Sequence, residues 1–276
     1  MPKQLKRLVG KVVPDRYTCN ARLYPSLLVI APAVIAVVAI AKLELSWLHS
    51  LWIGVGAAGG LYWLSQLARD PGKALEPGLW QAWGGAPSIA ILRHRDSRID
   101  PITKARYHAR LVELVLNTSA PTPELESTNP AAADACYSAW STYLRTSTRD
   151  QKRFHLVFDE LVSYGYRRNL LGLRRYGVAS NIFSCLGCSI FICFGIYQKL
   201  NVSDTLWLAL TADVVLLLFW LFRVSSVWVR MAADHYAARL VEVVDELHLS
   251  HSKSPKKAAA KPKKPRNVKK TMTAGG

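Results

Sequence analysis

The chain has 276 residues, half of them hydrophobic, and a formal net charge of +17. Its apolar residues are bunched rather than periodic, which excludes an ordinary soluble core and points to lipid. The basic residues cluster beside those bunches and in the C-terminal tail, so anionic lipid headgroups explain the charge as well as a nucleic acid would.

Residues 1–22 carry Lys3, Lys6, Arg7, Lys11, Arg16 and Arg22 against Asp15 alone. No small-residue cleavage site follows the first apolar run, so this is read as a retained cytoplasmic lead. The first membrane hairpin is expected over 23–68. Its first span runs from Tyr24 to Ala41, with Pro32 near the middle freeing a backbone carbonyl and bending the helix, as a plain kink or as a gate hinge. After a turn at Lys42 to Ser46, a second span runs from Trp47 to Ala68, with Trp47, Trp52, Tyr62 and Trp63 near its two ends and His49 close to an interface. Gly56 and Gly60 form a small-xxx-small pair that lets another helix approach closely, within the chain or from a second copy.

From 69 to 176 the chain turns polar, with sixteen Lys or Arg against eleven acids, and reads as a mainly helical cytoplasmic domain. Leu79 to Pro87 gives two tryptophans and then a turn at the membrane surface. Ser88 to Leu92 reads as a short strand or extended link. Pro101 opens a helix to Leu116 whose apolar face is Ile102, Ala105, Ala109, Val112 and Leu116, with Lys104, Arg106 and Arg110 off it. A Pro, Ser and Thr loop covers Asn117 to Asn129, Pro130 opens a helix to Leu144, and a third helix covers Asp150 to Tyr164 on an apolar face of Phe154, Val157, Phe158, Leu161 and Val162.

Arg167, Arg168, Arg174 and Arg175 stand just before a third span from Gly177 to Gln198, and mark the cytoplasmic side. A short turn at Lys199 leads to the fourth span, Leu206 to Phe222, completing a second hairpin over 177–223. Lys and Arg number six before the first span, one in each short turn, sixteen in the central segment and twelve from Arg223 onward. That asymmetry puts both termini in the cytoplasm and both turns outside, in the inner membrane. Beyond Arg223 an apolar stripe of Val227, Met231, Ala238, Val241 and Leu247 gives a cytoplasmic helix over 224–250, which packs on the central segment or pairs with its own copy. The Lys, Pro and Ala tail over 251–276 reads as disordered, a lipid-surface tether first and a nucleic-acid arm second. The fold class is therefore an all-α polytopic membrane protein, two transmembrane hairpins holding a helical domain between them.

Chemistry is sparse in this sequence. Asp213 is the one carboxylate deep in a span, and an ionised group there is costly unless it faces protein, water or a cation. It reads either as a pore-lining or ion-coupling group or as a protonated carboxyl bonded to Thr211, Asn181 or a neighbouring span. The four arginines before the third span are candidates to contact lipid headgroups, a nucleotide or a phosphoprotein. Cys185 and Cys188 have a metal-pair spacing, but they lack a second pair or a nearby His and read as small packing residues. His94, Arg95 and Asp96 spell a kinase tripeptide without the rest of that machinery. His94 and His108 with Asp96 and Asp100 match no metal-ligand frame. No enzyme, cofactor or metal is expected.

With two hairpins, short outer turns, a central cytoplasmic segment and a cytoplasmic C-terminal helix, the layout resembles that of four-span pore-forming effectors of bacterial immune systems. The resemblance covers most of the chain and matches no motif residue by residue. It implies a homo-oligomer in which the cytoplasmic segment receives a protein or nucleotide signal and the spans open a depolarising pore. Gly56 and Gly60 would then pack, Pro32 would bend and Asp213 would line the path. A membrane-anchored scaffold that recruits a cytoplasmic partner is the competing class, and a small transporter a third, for which the chain lacks an internal repeat.

Overall fold

The computed structural model describes residues 15–41 and 60–253, and every regular element among them is helical. Helix α1 comprises Arg16–Thr18, a π-helical turn at Cys19–Leu23 and Tyr24–Ala41. It is followed by α2 (Gly60–Ala82), the one-turn α3 (Pro87–Ala90), α4 (Pro101–Leu114), α5 (Pro123–Thr128) and α6 (Pro130–Ser147). Helix α7 (His155–Tyr197) has 43 residues; α8 is Asp204–Leu218 with a π-helical turn at Phe219–Arg223, and α9 is Ser226–Lys253.

Several starts follow from the sequence. Prolines open α3, α4, α5 and α6, where the missing N–H costs nothing, and Asp100, Thr122 and Asn129 cap the last three by accepting from the Thr103, Leu125 and Ala132 N–H groups. Pro87 is why residues 88–92 form a helical turn rather than the extended link expected there. The chain reaches it through Gly84 and Gly85, both at positive φ. The stretch expected as a loop from Asn117 to Asn129 contains α5.

Among the described residues, three helices are long and apolar enough to cross a membrane: Arg16–Ile40, His155–Tyr197 and Asp204–Arg223. The expected second span falls mostly on residues outside the described ones, as do Gly56, the lead before Asp15, the turn after Ala41 and most of the tail. Gly60 is the first residue of α2. That helix does not end at Ala68 as expected but continues through Pro71 and Pro77.

The largest departure is α7. A helix of Asp150 to Tyr164 and a separate span from Gly177 were expected; instead one helix begins at His155 and runs unbroken for about 65 Å at 1.5 Å per residue. Its two halves lie in different surroundings. Above Gly177, Ser184, Cys188 and Ile192 pack on α1 and α8, while Ile182, Phe183, Ile190 and Phe194 are exposed and apolar, as lipid contact requires. Below it, Phe154 and Val157 join a helical core with Leu111, Tyr137, Trp140 and Leu144.

Paired contacts give the directions. Ala21, Pro32 and Ala36 of α1 meet Asn169, Ser184 and the Cys188–Ile192 region of α7 in the same order, so these two helices are parallel. Asp213 meets Ser184 and Trp220 meets Gly177, so α8 is antiparallel. Gly72 meets Asn169 while Glu76 meets Arg168, so α2 descends beside α7 as well.

Helix α9 continues downward and closes the polar unit. Its buried residues include Trp228, Val229, Ala232, Ala233, Ala237, Leu240, Val241, Val244 and Leu247, whereas Val227 and Met231 of the expected stripe are exposed. It packs on the central segment. Ion pairs Asp234–Arg98, Asp245–Arg110 and Glu246–Arg153, and a hydrogen bond between His248 and Glu113, tie it to α4, to the loop before α4 and to the start of α7. The expected face of α4 is also turned. Ile102 and Leu116 are exposed, and Lys104, Tyr107, His108 and Leu111 point inward, because the Lys104 ammonium donates to the carbonyls of Arg93 and Asp96.

Candidate functional site

Two polar clusters lie inside the α1–α2–α7–α8 assembly, and a third organises the polar unit. The highest is built on Asp213, nine positions after Asp204 and ten before Arg223. At helical rise this puts it about 14 Å from each end, the centre of an apolar layer. Asp213 is fully buried. Its Oδ2 meets the Ser184 hydroxyl, which lies 2.9 Å from the Pro32 carbonyl oxygen. The Ser184 hydroxyl, with one hydrogen to give, is shared between the Asp213 carboxyl and the Pro32 carbonyl. Pro32, read from sequence as a kink or hinge, thus takes part through its carbonyl.

Neither other partner named for Asp213 holds it. The Thr211 hydroxyl donates to the Trp207 carbonyl of its own helix, and Asn181 Nδ2 donates to the Gly177 carbonyl. Asn181 Oδ1 and Asp213 Oδ1 are buried without a protein partner among the described residues. Cys188 is fully buried and Cys185 half-buried on the same helix. Among the described residues, no three His, Cys, Asp or Glu side chains converge as metal ligands.

The second cluster sits a few turns lower, where α2 crosses α7. Arg168 Nη1 donates to Glu76 Oε1 at 2.5 Å, with the two side chains only 6% and 17% exposed. The Tyr164 hydroxyl donates to the same oxygen at 3.0 Å. Arg168 also reaches Asn169 Oδ1, and Asn169 Nδ2 donates to the Ala21 carbonyl at 2.6 Å, inside the π-helical turn of α1. One network therefore joins α1, α2 and α7. The crossing is tight, for a Cβ on Gly172 would stand 2.5 Å from the Gly72 nitrogen.

The four arginines expected to share one anion-contacting role are divided by the helix. Arg168 faces inward on Glu76. Arg167 lies over the Trp228 ring and donates to the Trp228 carbonyl at 3.2 Å, while Arg223 covers the same ring. Arg174 holds the end of α8 by donating to the Trp220 and Leu221 carbonyls at 3.2 and 2.9 Å. Arg175 lies over Tyr176 and donates to its hydroxyl at 2.8 Å.

Sequence reasoning missed the third cluster. Arg93 grips Asp134 through Nε and Nη2 at 2.8 and 2.7 Å and the Gly84 carbonyl at 2.6 Å. Glu126 accepts from the His94 N–H at 2.7 Å, the Arg95 N–H and the Tyr137 hydroxyl. Burial would raise the Glu126 pKa, but these hydrogen bonds outweigh it and hold the carboxyl below its ordinary value. His108 bonds the Leu92 carbonyl at 2.8 Å, and burial pushes it down to about 4. These contacts clamp the 91–100 loop with polar groups satisfied by one another.

Comparison with known proteins finds no matching family model, curated protein or solved structure.

Proposed function

We propose that the chain is a four-span membrane protein of the inner membrane whose bilayer bundle is a regulated permeation unit. The polar unit and both termini lie in the cytoplasm, and the described state is closed. The observation that carries this reading is α7: one rigid helix joins the core of the polar unit to Ser184, the residue that contacts Asp213 at mid-bilayer. A signal received by the polar unit needs a mechanical element to reach the membrane, and α7, continuous from that unit to Ser184, is the element placed to carry one.

The parallel course of α1 and α7 supports the fourth crossing. Two parallel spans in one chain need a return between them, and α2 enters at Gly60, descends past Ser26 and leaves on the side of the polar unit. Orientation follows the excess of Lys and Arg on that side. Opening would require Asp213 to leave Ser184 and face water, within one copy or between several, when a protein or nucleotide binds the polar unit.

A scaffold is the second reading, favoured by the complete burial of Asp213. Membrane potential measured with a dye after induced expression separates the two. Collapse with the native chain, abolished by Asp213→Ala at equal membrane abundance, supports permeation. An unchanged potential, with a partner captured on the polar unit, replaces it with the scaffold.

A further inference from the structure

On either side of the Gly72–Gly172 contact α2 and α7 part, and one of the two resulting recesses combines apolar walls with unpaired positive charge. This groove of about 650 Å³ is lined by Pro71, Ala74 and Leu75 of α2, Arg174 and Arg175 of α7, and Leu221 at the end of α8, among others. Its size is that of a small-molecule site. Its level is the lower edge of the apolar layer, since Leu221 and Phe222 are exposed just above Arg223.

The two arginines differ from most others in the fold. Arg93, Arg98, Arg110, Arg153 and Arg168 each reach a carboxylate. Arg174 and Arg175 reach none among the described residues. Arg174 uses Nε and Nη2 on two carbonyls, and Arg175 uses Nη2 on the Tyr176 hydroxyl. Arg174 Nη1 and the remaining Arg175 donors are left without a protein acceptor among the described residues. Guanidinium groups beside hydrocarbon stay charged, so they call for an anion, and their fork geometry suits phosphate.

We infer that this groove is a specific site for an anionic phospholipid. The phosphate lies between Arg174 and Arg175, and an acyl chain runs up the groove past Val178 and along α8. A soluble phosphate compound would leave the apolar walls unused, whereas the lipid fills both halves. The inference requires only that the bundle lies in a bilayer, and it stands apart from whether the bundle conducts.

The test uses the full chain purified in detergent and mass spectrometry of the intact protein–lipid complex, with phosphatidylglycerol and phosphatidylcholine as competing probes. The native chain should retain phosphatidylglycerol at least ten-fold over phosphatidylcholine. Ala74→Trp fills the groove from an exposed position without altering charge, and Arg175→Gln removes one phosphate contact; each should cut retention ten-fold or more while lipid-free thermal unfolding stays native. Equal retention of both lipids by the native chain, or native-like retention by both folded variants, overturns the site.

Discussion

Replacing Glu76 by Gln would test how the membrane bundle is joined to the polar unit. The change keeps shape and removes one negative charge from a pair whose side chains are 6% and 17% exposed. Arg168 would then be a buried cation facing only amide and hydroxyl groups, and breaking a buried pair from one side costs about 3–5 kcal/mol. For a folded unit of this size each kcal/mol lowers Tm by about 2–4 °C, so Glu76→Gln should lower it by about 10 °C or somewhat more in detergent. Arg168→Met should cost less, about 2–3 kcal/mol, because Glu76 keeps the Tyr164 hydroxyl and is the more exposed partner. In the double variant no charge is stranded, and stability should recover to within about 1 kcal/mol of native, so the summed losses of the two singles should exceed that of the double by about 4–7 kcal/mol. Since the pair is shielded, 0.5 M salt should change these values little, on the order of tenths of a kcal/mol. A loss below about 1 kcal/mol for Glu76→Gln, with additive singles, would refute the buried junction.

Other sites give sharp expectations. Gly172→Ala should push α2 off α7, because its Cβ would stand 2.5 and 2.7 Å from backbone atoms of Gly72 and Pro71 that cannot rotate away; overpacking of this kind costs about 1–3 kcal/mol, and amide exchange in α2 should rise before that in α9. Ser184→Ala removes the hydroxyl between Asp213 and Pro32 and should lower stability by about 1–3 kcal/mol in detergent, while Ser184→Thr, which keeps it, should lose less. His108, held at about 4 against an ordinary 6.5, takes up its proton in the unfolded chain first. The polar unit should therefore lose stability as pH falls from about 6.5 to about 4, by at most about 3 kcal/mol, and His108→Gln should flatten that part of the stability–pH curve.

How much of this could be read ahead depended on the kind of signal. The apolar runs of α1, upper α7 and α8 are governed by hydrocarbon thickness, which acts on composition alone, so their placement followed from the sequence. The burial of Phe154, Val157, Phe158 and Val162 followed from 3.6-residue periodicity. The continuity of α7 did not, because arginines that mark the end of a span also sit comfortably in a helix interior; no proline stands between His155 and Tyr197 to break it. The face of α4 was misjudged because a lysine reads as solvent-facing until the loop carbonyls that accept from it are known. Asp213 stood out as a carboxylate in an apolar run, yet its partner lies 29 positions away on another helix, a pairing only tertiary structure supplies. The Arg168–Glu76 pair was illegible for the same reason, at 92 positions.

If the bundle is a regulated permeation unit, α7 must carry the chain from the polar unit across the bilayer. The most direct check is labelling of single cysteines in intact cells with a membrane-impermeant maleimide, in a background where the five native cysteines are replaced. Thr128→Cys, in the polar unit, should react only after the membrane is permeabilised, and Asn201→Cys, between α7 and α8, should react without permeabilisation. Labelling of both positions from the same side would contradict the crossing and the function built on it.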